Sequence, residues 1–297
     1  MKLLYFFSLM LSLGNVHAQA VSNTLKPNAD DNTLLWEISG YGLTAPSYLY
    51  GTFHLLCTQD VHFSTSLKQA ISNSSEVYLE LDLDDPSVLL GAIMLMNMKD
   101  GKKLKDLYTA EQYKRISDYF KDSLQTPIGL FQSMKPGFLV ALLYPKMMPC
   151  DNTTSVEEGI MKLAKENNIA VKGLETMAFQ ASLFDSIPYE KQATELLQAI
   201  DSMEKSKVYF GLMLNAYKNQ NLKEIEKIIN DPEFGVEENQ DILLDKRNKN
   251  WIVQLKEIMK KNSVFTAVGA GHLVGKNGLI ALLRAEGYTV LGLANNQ

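Results

Sequence analysis

The 297-residue sequence has few of the residues that mark disulfide scaffolds, structural zinc sites or nucleic-acid-binding surfaces. Its two cysteines are too few for a disulfide framework or a four-thiolate zinc site. Lysine and arginine number 29 against 34 aspartates and glutamates, a formal net charge of −5. Because phosphate binding needs clustered positive charge, this balance argues against a nucleic-acid partner. Hydrophobic residues at 46% and charged residues at 21% argue against disorder or a coiled coil.

The N-terminus holds a short apolar run. Lys2 gives a positive start, residues 3–13 are apolar, and small residues follow at Ala18 and Ala20. This order is typical of a secretory signal peptide, and the run is too short to span a membrane. We predict a signal peptide over residues 1–20, with cleavage after Ala18 or Ala20 left open. No later apolar run reaches about 18 residues. We therefore expect an exported protein, periplasmic or secreted, without a transmembrane segment after cleavage.

Export affects the interpretation of the two cysteines. Cys57 and Cys150 would meet an oxidising compartment, where one structural disulfide is a reasonable expectation. The alternative is that Cys57, three residues after His54, is a soft metal ligand, although nothing else nearby completes a thiolate site. The sequence leaves the pairing open.

Four strand-like runs each carry, at or just after their far end, a polar residue that can do chemistry. Helical segments separate these runs, which predicts an α/β fold with a largely parallel central sheet and helices on both sides. In such sheets, sites form at the carboxyl ends of the strands. The four side chains are therefore expected to converge. The runs are residues 47–50, 76–82, 169–175 and 264–268, and the polar residues are His54, Glu80, Glu175 and His272.

The mature chain is expected to be one domain over residues 21–297. Residues 87–150 are mostly helical in pattern and rich in methionine, and prolines interrupt them. We interpret this segment as a helical insertion or layer. The other helices are predicted over residues 65–72, 156–167, 189–230, 251–261 and 278–286, with further strands over 34–39 and 288–293.

Two of the three histidines that follow the signal peptide share one setting, Gly-x-x-His after a strand. Neutral imidazole is a common ligand for borderline divalent metals, and carboxylates supply oxygen ligands or a general base. His54 and His272 with Glu80 and Glu175 would form an open site in which a metal-bound water attacks a carbonyl. A hydrogen-bonded structural role is the alternative for either histidine alone. Two copies of the motif favour a site, whereas His62 has no such setting and is expected to be surface or structural.

Familiar catalytic motifs are missing from the sequence. It has no Walker loop, dinucleotide fingerprint, His-Glu-x-x-His helix or Gly-x-Ser-x-Gly elbow. Zinc-protease and serine-hydrolase interpretations therefore lose support.

Four segments resemble the TraB/GumN family, including its Tiki relatives. They are YLYGTFH (48–54), ELD (80–82), GLET (173–176) and VGAGHLVG (268–275), and the resemblance spans residues 34–293. It implies an EreA/ChaN-like α/β fold and, from the Tiki branch, a metal-dependent protease that uses manganese or cobalt and lacks the usual zinc-protease motif. It also implies that His54 and His272 are the motif histidines, and that Glu80 and Glu175 are the strand-end glutamates.

Arg247 and Asn248 also resemble a family element. An arginine there is expected to stabilise an oxyanion or hold a carboxylate, with a surface ion pair as the alternative. The chain departs from the family at residues 155–157, where Ser-Val-Glu replaces Gly-x-Asp. The carboxylate is kept on the longer side chain of Glu157, so any contribution from this position has a different geometry.

The resemblance and the residues together predict an exported metal-dependent hydrolase, a Tiki-like peptidase acting on a peptide or small-molecule substrate. Its metal ligands would be His54, His272, Glu80 and Glu175, and its catalytic residues Glu80, Glu175 and Arg247. The cofactor would be a divalent ion, manganese or cobalt before zinc. The opposing interpretation is a non-catalytic accessory protein that holds haem or a metal with the same residues, since wider relatives include a haem-binding protein and an erythromycin esterase. The oligomeric state is not predicted.

Overall fold

The computed structural model describes residues 25–28, 30–82, 94–232 and 239–296. The predicted signal peptide lies outside these residues. Within them the chain forms eight strands in two sheets, six in a central sheet and two in a small one. The strands are β1 (Leu35–Ser39), β2 (Ser47–Thr52), β3 (Leu56–Cys57), β4 (Glu76–Leu81), β5 (Thr153–Thr154), β6 (Ala170–Glu175), β7 (Val264–Gly269) and β8 (Thr289–Gly292).

The central sheet has the strand order β6-β4-β7-β2-β1-β8. The first four of these strands are parallel, which confirms the predicted α/β fold with a largely parallel sheet. β1 runs antiparallel to both of its neighbours, a feature that was not predicted. The reason is the short connection from β1 to β2, because a tight turn can join only antiparallel strands. Positive φ angles at Gly40, Tyr41 and Gly42 make that turn.

Ten α-helices flank the sheet or lie beside it in the described part of the chain. The helix predicted over residues 189–230 is three helices, because Ser202 leaves the helical region and Gln220 adopts a positive φ angle. No described helix is long and apolar enough to cross a membrane. The helices are α1 (Thr65–Ser72), α2 (Ala110–Asp122), α3 (Pro136–Ala141), α4 (Val156–Glu166), α5 (Met177–Asp185), α6 (Tyr189–Asp201), α7 (Met203–Lys218), α8 (Leu222–Ile229), α9 (Lys246–Met259) and α10 (Leu279–Ala285).

Two hydrophobic cores hold these elements together. The larger core surrounds the central sheet and contains the fully buried rings of Trp36, Trp251 and Phe265. The smaller core joins residues 98–147 to α6 and contains Phe120 and Leu196. Described residues of the predicted insertion therefore have a core of their own, which α6 completes.

Cys57 and Cys150 form a disulfide across 93 positions of sequence. The bond lies beside the two-stranded sheet, in which Cys57 pairs with Thr153 and Leu56 pairs with Thr154. The interpretation of Cys57 as a metal ligand is wrong, because its sulfur is bonded to Cys150. The disulfide and the small sheet hold the segment after His54 against the segment before Glu157.

Candidate active site

The parallel strands bring the four predicted site residues to one edge of the central sheet. His54 lies two residues after β2, and His272 lies three residues after β7, the neighbouring strand. Glu80 and Glu175 are at the carboxyl ends of β4 and β6, which also pair with each other. Oε1 of Glu80 accepts a hydrogen bond from the backbone N–H of Gly269 at 2.9 Å. The predicted convergence of strand ends is thus found in the fold.

Gly269, the first glycine of the second Gly-x-x-His motif, lies at the centre of this group. A Cβ atom there would be 3.4 Å from Oε1 of Glu80, 3.7 Å from Nε2 of His54 and 3.8 Å from Cδ2 of His272. Three chemically active side chains therefore surround a backbone that has no side chain of its own. A glycine at this position leaves the space between the three side chains open.

His54 is anchored by a residue outside the predicted set. Its Nδ1 donates a hydrogen bond to Oε1 of Glu157 at 2.7 Å, and Glu157 is in the first turn of α4. The His54 side chain is 71% exposed and that of Glu157 only 8%. Partial desolvation lowers the pKa of His54, but the hydrogen bond and charge of Glu157, helped by the charge of Glu80, outweigh it and raise that pKa to about 9.

His272 is buried and anchored by Asn248. Nδ2 of Asn248 donates to the carbonyl oxygens of His272 at 3.3 Å and Asn277 at 2.8 Å, which fixes the orientation of the amide. Oδ1 of Asn248 therefore accepts, and Nδ1 of His272 donates to it at 2.6 Å. Burial lowers the pKa of His272 to about 3, so the ring is neutral with its lone pair on Nε2.

The guanidinium of Arg247 fills the centre of the site. Nε and Nη2 bind Glu175 at 2.9–3.2 Å, and Nη2 also binds Oε2 of Glu80 at 2.5 Å. Nη1 donates to Nε2 of His272 at 3.1 Å and to the carbonyl of Leu243 at 2.9 Å. The side chain is 9% exposed and lies over the ring of Trp251. The surface ion pair considered for Arg247 is therefore wrong, since this arginine is buried and holds two carboxylates.

These contacts set the charge of Glu80. Burial raises the pKa of Glu80. This effect is outweighed by the positive charges of protonated His272, Arg247 and His54 and by the hydrogen bond from the Gly269 N–H, which together lower the pKa to about 2. At neutral pH, where His272 is uncharged, Arg247 is the principal cause of this lowering. The carboxylate of Glu80 is therefore ionised across the physiological range.

Three residues of the site were not predicted. Gln180 donates from Nε2 to Oε2 of both Glu175 and Glu80, at 3.1 Å and 3.3 Å. Glu157 appeared in the sequence only as a departure from the family, and Asn248 only as the neighbour of Arg247. Their side chains reach the site from three different helices, and local periodicity does not reveal such pairings.

A cavity of about 280 Å³ opens at this edge of the sheet. Its lining includes the polar side chains of His54, Glu80, Glu157 and Gln180. A larger cavity of about 470 Å³ holds His62 but none of the predicted site residues. The smaller cavity is the one that adjoins the chemistry.

The TraB/PrgY/gumN family model matches residues 34–291. The chain belongs to this family. Metalloprotease TIKI1 of Danio rerio is 24% identical to it over 90% of this chain and 64% of that protein. Metalloprotease TIKI2 of Danio rerio is 23% identical over 88% of this chain and 61% of that protein. Metalloprotease TIKI1 of Homo sapiens is 24% identical over 90% and 63% respectively.

This TraB/PrgY/gumN protein thus spans less than two thirds of the length of these relatives. No solved structure matches the chain. The family predicted from the four sequence segments is confirmed. These three relatives are named metalloproteases.

The donor set of this family member fits a divalent ion in kind. Each histidine has its Nδ1 held by a carboxylate or amide oxygen and directs Nε2 elsewhere, the arrangement that orients metal-binding imidazoles. Glu80 adds a carboxylate next to both rings, and the absent Cβ of Gly269 leaves space between them. The proton on Nε2 of His54 would leave when a cation binds there.

The same residues do not form a ready-made ion cage. Among the described residues, no three histidine, cysteine, aspartate or glutamate side chains are grouped closely enough to hold a metal ion. Arg247 explains why no such group forms, because it donates hydrogen bonds to Nε2 of His272 and to carboxylate oxygens of Glu80 and Glu175. Metal ligation by His54, His272, Glu80 and Glu175 stays a prediction.

Proposed function

We propose that this protein is an exported metal-dependent hydrolase that cleaves peptide bonds. The observation that supports this most strongly is the arrangement around Gly269, where Nε2 of His54, Oε1 of Glu80 and the ring of His272 approach one point. The two histidines have anchored Nδ1 atoms, as ligands of a catalytic ion do. The metalloprotease names of the relatives agree with this chemistry.

The chain's own residues have separate tasks in this proposal. His54, His272 and Glu80 would hold the ion, and Glu157 and Asn248 keep the two imidazoles in place. A bound divalent ion supplies Lewis acidity and lowers the pKa of a coordinated water. Glu80 lines the cavity and is ionised, so it is free to accept a proton from water, but its pKa of about 2 makes it a weak base as long as Arg247 is in place.

Arg247 and Glu175 act together beside this group. The Arg247 guanidinium contacts Glu80 directly, and its five N–H groups are all engaged by acceptors of the protein. It would stabilise negative charge on a substrate carbonyl oxygen only after one of these hydrogen bonds is broken. Glu175 accepts hydrogen bonds from Arg247 and Gln180, which fixes the arginine. Direct contact of Glu175 with the ion, as predicted from the sequence, requires Arg247 to move away. Ligation by Nε2 of His272 also requires Nη1 of Arg247 to release that nitrogen.

Export is part of the proposal. The disulfide between Cys57 and Cys150 supports it, because such bonds persist in oxidising compartments and are rare in reducing ones. The signal peptide predicted over residues 1–20 gives the same compartment, periplasmic or secreted. A peptide or small-molecule substrate would meet the site there.

The decisive experiment compares wild type with the His54→Ala/His272→Ala double variant. Purified protein is titrated with Mn²⁺, Co²⁺ and Zn²⁺ by calorimetry, its bound metals are measured by elemental analysis, and a peptide mixture is tested for cleavage by mass spectrometry. We expect near-stoichiometric binding and cleavage in wild type, and the loss of both in the double variant. His62→Ala is the matched control, because this histidine is exposed and lines the other cavity, which holds none of the predicted site residues.

The other outcomes either refute the proposed ligands or support the alternative function. Full metal occupancy in the double variant would show that the proposed ligands are wrong. Metal binding without cleavage, or a Soret absorbance band from haem, would assign the accessory-protein alternative.

A further inference from the structure

Gln180 is the neutral group that links the two glutamates of the site. It follows Glu175 by five residues, one turn into α5, whose N-cap is Thr176. Its single Nε2 atom donates to Oε2 of Glu175 and to Oε2 of Glu80. Both of these oxygens also accept from Nη2 of Arg247. A displacement of α5 would therefore move Gln180 and change the spacing of the carboxylates that hold the arginine.

Lys135 fastens α5 from the side of the insertion. Its side chain is 2% exposed, and Nζ donates to the carbonyl oxygens of Ala181 at 2.8 Å and Leu95 at 3.0 Å. Nζ also forms an ion pair with Oδ1 of Asp185 at 2.9 Å. Because a buried ammonium is tolerated only when its protons have acceptors, these three contacts fix the position of Lys135. Two of these contacts are to α5, at Ala181 and Asp185, and Ala181 is the residue that follows Gln180.

A second buried polar side chain fastens the same end of α5. Nε2 of Gln192 donates to the carbonyl oxygens of Phe184 at 2.6 Å and Ile187 at 2.8 Å, while its Oε1 accepts from the N–H of Gly137 at 3.0 Å. A Cβ atom at Gly137 would lie only 2.7 Å from the ring of Phe184. The start of α3 therefore packs directly on α5, which ties the insertion to this helix.

We propose that Lys135 is a positioning residue of the site and acts through Gln180. By tying Leu95 of the insertion to Ala181 and Asp185, it keeps the Gln180 amide between Glu80 and Glu175. Lys135 of the insertion thereby influences the geometry of the two glutamates through Gln180 and not through a contact of its own. The inference about position stands on these contacts, and only its kinetic consequence rests on the proposed hydrolase function.

The first test is spectroscopic and needs no activity. Protein labelled with ¹⁵N-glutamine shows the side-chain amide of Gln180, which is assigned by its absence in Gln180→Met. In Lys135→Met we expect this signal to move toward those of exposed glutamines. Lys99→Met is the matched control, because Lys99 pairs with the same Asp185 at 3.0 Å but is 67% exposed, and it should leave the signal in place.

The spectroscopic test has a clear contrary result. An unchanged Gln180 signal in folded Lys135→Met overturns the proposal. If that variant does not fold, Asp185→Asn replaces it, since it removes the charge of the partner and keeps the shape of the side chain. The same displacement of the signal, smaller in size, is then expected, and its absence overturns the proposal equally.

The second test is a double-mutant cycle on peptide cleavage. Lys135→Met should lower kcat about tenfold with KM nearly unchanged, and it should lower kcat no further in a Gln180→Met background. Equal losses in both backgrounds would show that Lys135 acts only on the fold and would overturn the proposal. A wild type that cleaves nothing refutes the hydrolase function instead, and the Gln180 signal then decides the role of Lys135.

Discussion

His54 and Glu157 are 103 positions apart in sequence, yet Nδ1 of the imidazole lies 2.7 Å from Oε1 of the carboxylate. The pair connects the end of β2 to the first turn of α4. The imidazole is largely in solvent and the carboxylate is buried, so the carboxylate sets the charge of the ring from inside the protein. This pair makes the state of His54 sensitive to a single substitution outside the Gly-x-x-His motif.

The substitution Glu157→Gln should lower the pKa of His54 from about 9 toward the ordinary value of 6.5, because the charged hydrogen-bond partner is lost. A raised folded-state pKa gives stability that is complete below pH 6.5 and is lost as the pH rises through about 9. Wild type should therefore lose more thermal stability than Glu157→Gln between these two values.

Two measurements check this prediction in metal-free protein. A proton NMR titration of the histidine Cε1–H signals gives the pKa directly, and thermal unfolding at the two ends of the pH range gives the stability difference. Glu158→Gln is the control, because Glu158 is exposed and next in sequence. A His54 pKa that is the same in both variants contradicts the assignment.

Replacing Arg247 by methionine should destabilise the protein by about 3–5 kcal/mol at pH 7, because two buried carboxylates lose their counter-charge. Glu80 has a depressed pKa, so its stabilising contribution exists above pH 4.5 and disappears as the pH falls toward 2. The difference between wild type and Arg247→Met should therefore shrink in acid. Urea unfolding at pH 7 and pH 3 measures it, and a difference that is equal at both values would refute the ion-pair explanation.

Gly269→Ala should leave the fold intact and weaken metal binding at the proposed site. The new Cβ would make only ordinary contacts of 3.4–3.8 Å, and the backbone φ of −48° suits alanine. However, the methyl group would stand between Glu80, His54 and His272. We expect an unfolding temperature close to that of wild type, with Mn²⁺ affinity reduced at least about tenfold.

Gly129→Ala is the control for this substitution, since a Cβ there meets nothing within 4 Å. Calorimetry with Mn²⁺ and thermal unfolding are run on both variants. Wild-type Mn²⁺ affinity in Gly269→Ala would show that the ion, if bound, lies elsewhere.

Removing the disulfide should destabilise the protein mainly through the unfolded state. In the chain-entropy model, a loop closed across 93 positions contributes about 4–5 kcal/mol. Cys57→Ala/Cys150→Ala should show this loss in urea unfolding, and a reductant should reproduce it in wild type. The double variant itself should not respond to the reductant, and any response would indicate another cause.

The sequence was sufficient to predict the parallel sheet and the convergence of His54, Glu80, Glu175 and His272. These follow from strands that end in polar residues, and parallel strands bring such ends together. The antiparallel pairing of β1 was missed because it depends on a tight turn after that strand. That Arg247 holds a carboxylate was one of the two expectations for it, but its contacts with two carboxylates and with His272 were not predicted. The start of α9 was also placed wrongly, because the helix begins five residues before the predicted start at Trp251, after a single π-helical turn over Asp241–Asp245.

The hydrogen-bond partners of the site residues could not be predicted from the sequence for a different reason. Glu157, Gln180 and Asn248 meet the site through hydrogen bonds that span up to 103 positions, and each comes from the first turns of a separate helix. Only the three-dimensional packing of those helices decides which side chain reaches which strand end. The disulfide was expected as one of two alternatives, and the structure selects it because β3 and β5 bring the two cysteines together.

Arg247 has a consequence for the order of assembly. Two carboxylates at the end of a buried sheet would repel each other in a folding chain, and a protein that relied on a metal to neutralise them would have to acquire it while folding. In this protein the neutralising charge is the guanidinium of Arg247, a residue of the chain itself. The polypeptide can therefore fold before any metal ion binds. An ion that binds later has to displace the Arg247 guanidinium from the carboxylates.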